Sequence, residues 1–345
     1  MSDDVALLRA TIARRPLVLA TRLMPHHARL PAAPFHKELE AWHVRMGEEA
    51  LPQRRGLRFA VAAPRGSAKS TVLALVLLLH DIVHGRERYI LLVSATQRQA
   101  RQRLRAARRE LEQCADLRRV YAAEVAGLEA TAGVLVANGT RVEALGAGQE
   151  LRGVSFGEWR PTKIILDDAE ASAASASPRR RALLHDWFRE VVEHLGAPST
   201  HLVAIGTVLH REGLLVALLA RPDFEGLRLR SIEKFPPPSP LWEQWRALLT
   251  APGGGGRGRA RAHFLAHRAA MEAGARVLWP EHEDIEELHA QLVLQGRRAF
   301  HQEKQNEPLG AEDALFAPER AWTARRFAAG WERRPPSALG PATAG

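Results

Sequence analysis

Only one cysteine, Cys114, occurs in the 345 residues, which excludes an intrachain disulfide framework and a cysteine-based zinc site. Long apolar runs are missing too. The longest, Val72 to Leu79, is far shorter than the roughly 20 residues a helix needs to cross a bilayer, so no membrane partner is expected. The N-terminus, Met1-Ser2-Asp3-Asp4, lacks the basic stretch and apolar segment of a secretory signal. A soluble, intracellular protein is the expectation. No internal repeat is found. Lysine is scarce beside arginine: most of the 49 Lys+Arg residues are Arg, against 39 Asp+Glu, for a net charge of +10. Two readings of that excess stay open. Arginine suits bidentate phosphate contacts, which points to nucleic acid; an Ala- and Arg-rich, Lys-poor chain also follows from a GC-rich genome. At 46% hydrophobic, the chain can bury a sizeable core and is long enough for about two domains.

Glycine is sparse in the segment that carries most of the chemistry. Ala62-Ala63-Pro64-Arg65-Gly66-Ser67-Ala68-Lys69-Ser70-Thr71 lies between the apolar runs Leu57 to Ala62 and Val72 to Leu79, which reads as strand, tight loop, helix. A phosphate-binding P-loop needs that context. Loop N–H groups wrap the phosphates, a lysine reaches the β/γ oxygens, a Ser/Thr hydroxyl binds Mg2+, and the helix N-terminus adds its positive dipole end. Pro64, Arg65, Gly66, Ser67, Ala68, Lys69, Ser70 and Thr71 are therefore the candidate nucleotide-binding residues, with Lys69 on the phosphates and Ser70 on the metal. The usual pattern has glycines where this chain has Ala63 and Ala68, and Gly66 is the loop's one glycine. The bland alternative is a Lys-Ser-Thr that merely opens a buried helix.

Residues 1–55 read as a helical lead-in broken by Pro16, Pro25, Pro31 and Pro34. Over 56–235, apolar runs alternate with amphipathic helices. Candidate strands are Leu57–Ala62, Tyr89–Ser94, Val134–Ala137, Arg141–Ala144, Lys163–Leu166, His201–Ile205 and Leu227–Ile232. The expected fold is α/β, a mostly parallel sheet with helices on both faces. After Tyr89–Ser94, Ala100, Leu104, Ala107 and Leu111 form one buried helical stripe. Arg98, Arg101, Arg105, Arg108 and Arg109 fall opposite, as a solvated face or as a nucleic-acid-facing one. Cys114, on the apolar side of that helix, reads as inert core. Phe235-Pro236-Pro237-Pro238-Ser239-Pro240 reads as a stiff linker and Gly253–Gly256 as a flexible loop. Helical segments are expected at Leu241–Leu249, Arg261–Ala273 and Glu281–Leu288 within a 236–310 linker or helical subdomain, followed by a 311–345 tail.

An ATPase also needs carboxylates at a neighbouring strand end. Lys163-Ile164-Ile165-Leu166-Asp167-Asp168-Ala169-Glu170 supplies them. Asp167 is placed to hold Mg2+, and Asp168 or Glu170 to polarise a water; a helix N-cap role for Asp167 or Asp168 is the structural alternative. The next strand, His201–Ile205, ends in Gly206-Thr207, whose hydroxyl can sense the γ-phosphate or the water, or simply make a turn. This motif order suits the additional-strand layout of P-loop motors, in which one strand separates the P-loop strand from the acidic strand.

Taken together, the motifs are more specific. Val61 to Ser70, with Arg65 four residues before Lys69, resembles the deviant P-loop of tailed-phage terminase large subunits. Leu92-Val93-Ser94-Ala95-Thr96 with Gln99-Ala100 is similar to the family's segment after the second strand. Leu151-Arg152-Gly153 and Arg160-Pro161 before Ile164–Asp168 are similar to its approach to the acidic motif. Ile205-Gly206-Thr207-Val208-Leu209-His210 resembles its coupling motif. Met271–Ala275, Leu278–Glu281 and Phe300–Pro308 look like the segment joining ATPase to nuclease. The resemblance spans roughly residues 30 to 320.

It implies an ATP- and Mg2+-dependent motor that drives double-stranded DNA into a procapsid. The subunits would form a ring docked on a portal protein and be fed by a small terminase subunit, in the cytoplasm of a bacterial host. It further implies a γ-phosphate contact for Arg65 and, for Arg152, either a finger inserted into a neighbour's site in trans or an ordinary loop salt bridge. Family members usually continue into a nuclease. Fewer than about forty residues follow Pro308, and Glu312, Asp313 and Glu319 sit in a Pro- and Ala-rich stretch without an evident sheet. The expectation is that the motor is present and the nuclease is not: either the chain is truncated or split, or cleavage falls to a separate chain. A helicase-like ATPase, or an inactive prophage remnant that binds DNA without turnover, is the alternative.

Overall fold

The computed structural model describes residues 3–48, 55–151, 153–171 and 177–308, and the backbone of 323–327 and 330–334. Its centre is an eight-stranded sheet. In chain order the strands are β1 (Arg58–Ala62), β2 (Tyr89–Ser94), β3 (Glu129–Ala130), β4 (Val134–Ala137), β5 (Thr140–Gly146), β6 (Lys163–Asp167), β7 (His201–Gly206) and β8 (Glu225–Arg228). Their spatial order is β3-β4-β5-β2-β6-β7-β1-β8. Pairing is parallel from β5 through β8 and antiparallel only at the β3-β4-β5 edge. The expected α/β fold is what forms, and one strand, β7, separates the P-loop strand from the acidic strand.

The inner strands are apolar on both faces, as a sheet covered on both sides requires. Their alternation divides two cores. Phe59, Val61, Ile90 and Leu92 join Ile12, Leu19, Phe35, Val76 and Leu104 on one face. Ala60, Ala62, Leu91 and Val93 join Trp187, Phe188, Leu195 and Leu215 on the other. The helix behind the P-loop runs Lys69–Thr71, widens to a π-type stretch over Val72–Leu77 and ends Leu78–His84; Val72 through Val83 are all buried. A third apolar cluster, including Trp242, Trp245, Phe264, Met271, Leu288 and Phe300, belongs to the helices after Pro240.

Several expected boundaries shift, each for a local reason. The strand expected at Leu227–Ile232 is two: β8 stays in the main sheet, and β9 (Ile232–Lys234) pairs with β10 (Arg276–Val277). Between them the chain peels away, Leu229 N–H donating to Ala62 O and Ser231 N–H to Lys304 O. The helix expected at Arg261–Ala273 is broken at His267 into Gly256–Ala266 and Arg268–Glu272. Gly256 is already helical, because Gly253, Gly254 and Gly255 carry the positive φ angles of the turn. The helix expected from Glu281 starts at Ile285, where Asp284 and Glu287 form a capping box. Cys114 is a half-buried residue just past helix Gln97–Gln113, its thiol donating to Leu23 O at 3.1 Å. The tail, expected to lack a sheet, contains an antiparallel hairpin of β11 (Thr323–Phe327) and β12 (Gly330–Arg334).

Candidate active site

Register brings the motifs to one edge. Ala62 pairs with Gly206 across β1 and β7, and Asp167 with Ile205 across β6 and β7. The P-loop, Thr207 and the acidic cluster therefore leave the sheet at the same level, within two strand spacings, roughly 10 Å. That is the carboxyl-end crevice where open α/β sheets bind ligands. A cleft of about 550 Å³ opens there, lined by residues including Gly66, Lys69, Ser70, Gln99, Arg103, Asp168 and Thr207.

The loop has the shape of a phosphate cradle despite its alanines. Gly66 has φ +87° and Ala68 φ +57°, so Ala68 tolerates a left-handed turn that glycine would adopt without strain. Ala63 N–H donates to Gly206 O, tying the loop to β7. The Ser67 hydroxyl is buried with no hydrogen-bond partner among the described residues, an orphan polar group of the kind a ligand satisfies. Beneath the loop, His36 Nε2 lies 2.8 Å from Ser67 O. Its Nδ1 accepts the Ala33 N–H at 3.0 Å, so Nε2 carries the proton and donates to the loop carbonyl. Burial holds the His36 pKa below the usual histidine range, which keeps it in that neutral form.

Lys69 turns into the cleft. Its ammonium donates to Thr207 Oγ1 at 3.0 Å and lies 3.9 Å from Asp168 Oδ2. Burial lowers its pKa, opposed by the charges of Asp168 and Asp167. The Ser70 hydroxyl donates to Asp167 Oδ1 at 2.6 Å, and Arg103 Nε to Asp167 Oδ2 at 2.9 Å. Burial, with the neighbouring Asp168 charge, raises the Asp167 pKa; Arg103 and Ser70 pull it down without overcoming burial. Two hard oxygen donors, the Ser70 hydroxyl and an Asp167 carboxylate oxygen, already converge. This is a donor set that suits Mg2+.

The two candidate water-polarising carboxylates are differently engaged. Asp168, at φ +48°, keeps one oxygen on the Thr207 N–H at 3.2 Å and the other towards Lys69. Glu170 lines the same cleft but accepts the N–H of Leu214, at the start of helix Leu214–Leu219. The side chains of Asp167 and Asp168 are engaged by Ser70, Arg103, Thr207 and Lys69 rather than by a helix N-terminus. Arg65 is two-thirds exposed, its Nε donating to Glu303 Oε2 at 2.6 Å. Arg152, Glu312, Asp313 and Glu319 lie outside the described residues.

Three contributors escaped the sequence reading. Arg103 stands beside the buried stripe of its helix and is not among the arginines the periodicity places on the opposite face. His36 sits in the lead-in with no motif around it. The third is residues 303–306, read only as a joining segment. Arg65 N–H donates to Glu303 O and Lys304 Nζ to Arg65 O, both on the P-loop. Asn306, fully buried at φ +52°, accepts the Val208 N–H through Oδ1 at 2.9 Å and donates to Leu229 O at 2.8 Å. The segment after the helical region thus contacts both the loop and the residue next to Thr207.

No protein-family model and no curated protein matches this chain. Among solved structures, the large terminase of bacteriophage HK97 is similar over 86% of this chain, with 15% sequence identity and a TM-score of 0.44. The match takes in 55% of that protein, so the chain spans about half of its length.

Proposed function

We propose that this chain hydrolyses ATP with Mg2+ as the motor subunit of a double-stranded DNA packaging machine, of the terminase large-subunit type. The observation that carries the hydrolytic part is the convergence of Lys69, Ser70, Asp167, Asp168 and Thr207 on one cleft at the carboxyl ends of β1, β7 and β6. The packaging part rests on the run of resemblances from the P-loop to Pro308 and on the net charge of +10.

In this reading the loop amides from Gly66 to Ser70 and the Lys69 ammonium hold the phosphates, and Ser70 with Asp167 holds Mg2+. The bound ion supplies Lewis-acid neutralisation of charge on the phosphate oxygens. Asp168 orients the attacking water and accepts its proton, while Glu170 keeps the neighbouring helix in place. Thr207 joins Lys69 to the β7 end, and Asn306 joins that end to the C-terminal segment, a continuous path along which a change at the phosphates can reach the rest of the chain. Arg65 in the loop and Arg152 from a neighbouring subunit are assigned to transition-state charge.

Lys69→Ala tests the core of this reading. The expected result is a folded protein without ATP hydrolysis, and without DNA translocation into portal-bearing procapsids. A folded, purified variant that hydrolyses ATP at the wild-type rate would remove the P-loop assignment. Wild-type ATPase activity combined with strand separation, and no portal-dependent translocation, would replace packaging by a helicase-like role.

A further inference from the structure

We propose that His26, His27 and Glu110 form a binding site for one divalent late first-row transition-metal ion, of the Zn2+, Co2+ or Ni2+ class. His26 and His27 lie on a single 3-10 turn, Pro25–His27, between the first helices of the chain. Glu110 faces them from the buried side of helix Gln97–Gln113, with 5% of its surface exposed. His26 Nε2 is 3.1 Å from one carboxylate oxygen and His27 Nε2 is 3.1 Å from the other. The rings are tilted at 48° with centroids 4.3 Å apart. All three donor atoms lie within 4.8 Å of one another.

Donors around a tetrahedral ion stand about 3.3 Å apart, given metal–donor distances of about 2.0–2.2 Å. Both histidine–carboxylate separations are already close to that value, so the three groups surround an ion after small rotations. Two imidazoles and one carboxylate favour zinc and its neighbours over Mg2+, which prefers oxygen alone. The site therefore differs in metal class from Ser70 and Asp167. Its carboxylate is buried and its His26 side is half-exposed, which gives the ion an entry path from solvent. The junction is closely packed next to it: Cys114, one turn beyond Glu110, donates its thiol to Leu23 O.

The site would tie the N-terminal helices to helix Gln97–Gln113. Two turns earlier on that helix, about 10 Å away along its axis, Arg103 holds Asp167. A bound ion thus fixes the far end of the helix that reaches the nucleotide cleft. The competing arrangement is a carboxylate hydrogen-bonded by two imidazoles, with no metal affinity.

The test uses the full chain, stripped with chelator and kept in millimolar Mg2+ to fill oxygen-only sites. Zn2+ is titrated by calorimetry and Co2+ by visible absorption. The expected result is one ion per chain, Co2+ bands of a nitrogen-containing site of low coordination number, and a higher melting temperature with metal. Glu110→Gln should weaken Zn2+ binding at least about tenfold, the His26→Ala/His27→Ala double variant should abolish it, and Asp167→Asn should leave it unchanged. If a buried variant fails to fold in chelator, as judged by circular dichroism, His26→Ala alone, at a half-exposed position, carries the comparison. Absence of Zn2+ binding by the wild type overturns the proposal. So does Zn2+ binding that is undiminished in the folded histidine variants.

Discussion

Asp168→Asn separates the two carboxylates most cleanly. Asp168 has φ +48°, a left-handed conformation that asparagine tolerates better than alanine does. The amide oxygen can still accept the Thr207 N–H now held at 3.2 Å, so the substitution removes charge and basicity while keeping shape. The lost attraction to Lys69 spans 3.9 Å, but Asp168 is 43% exposed, so solvent screening keeps its stabilising contribution at or below about 1 kcal/mol. If Asp168 orients and deprotonates the water, turnover should fall roughly a hundred- to ten-thousand-fold, or about 2.7–5.5 kcal/mol in barrier. KM for ATP should change little, because in the proposed function Lys69 and the loop hold the phosphates. Glu170→Gln should behave in the opposite way. It weakens the acceptor for the Leu214 N–H, costing about 1 kcal/mol as for a lost helix cap and a few degrees of melting temperature, while turnover survives. Steady-state ATPase kinetics alongside thermal melts of both variants decide the matter. Wild-type turnover in Asp168→Asn, with a folded but inactive Glu170→Gln, would refute the assignment and move the role to Glu170.

Asn306→Gly keeps the left-handed backbone but strands the buried Val208 N–H, costing about 1–3 kcal/mol, and releases the half-buried Leu229 carbonyl; faster hydrogen exchange over residues 228–232 and 297–307 is expected, and unchanged protection would deny Asn306 its bridging role. Stability should fall as pH drops from 6.5 towards 4. Burial lowers His84 and His201 to about 4 and His80 to about 2, so over that window the unfolded chain takes up protons that the fold refuses. Glu87, raised by burial to about 7, opposes this, as do Asp81, Asp167 and Glu170, also raised by burial, because there the fold keeps protons that the unfolded chain has released; with His36, His43 and His289 lowered by burial as well, the histidines outnumber the acids, at about 1.4 kcal/mol per pH unit for each uncompensated proton. Denaturant titrations at pH 7, 6 and 5 that show flat or rising stability on acidification would contradict that balance. For Arg152, mixing Arg152→Ala with Lys69→Ala subunits should restore part of the ATPase activity if the arginine acts in trans; no recovery despite proven co-assembly counts against that role.

The local pattern of residues determined the sheet and the raw site. Apolar runs mark β1, β2, β6 and β7 to within a residue, because strands buried on both faces are largely apolar; β4 and β5, towards the antiparallel edge, alternate buried and half-buried residues. The loop from Pro64 to Ser70 and the acids after Leu166 were visible because phosphate and metal chemistry demands particular side chains at fixed offsets from a strand end. What only tertiary structure decided is how these groups are apportioned. Asp168 and Glu170 are two residues apart and alike in chemistry; the start of helix Leu214–Leu219, more than forty residues later, engages Glu170 and leaves Asp168 facing Lys69. Arg103 was one arginine among many until helix packing laid it against Asp167. His36 and Asn306 carry no motif, since each earns its place through one or two hydrogen bonds to backbone distant in sequence. Backbone N–H and C=O groups are the same at every residue, so the chain offers no local signal for which of them a buried side chain will meet. That choice is made only when the sheet, its two covering layers and the C-terminal segment close on one another.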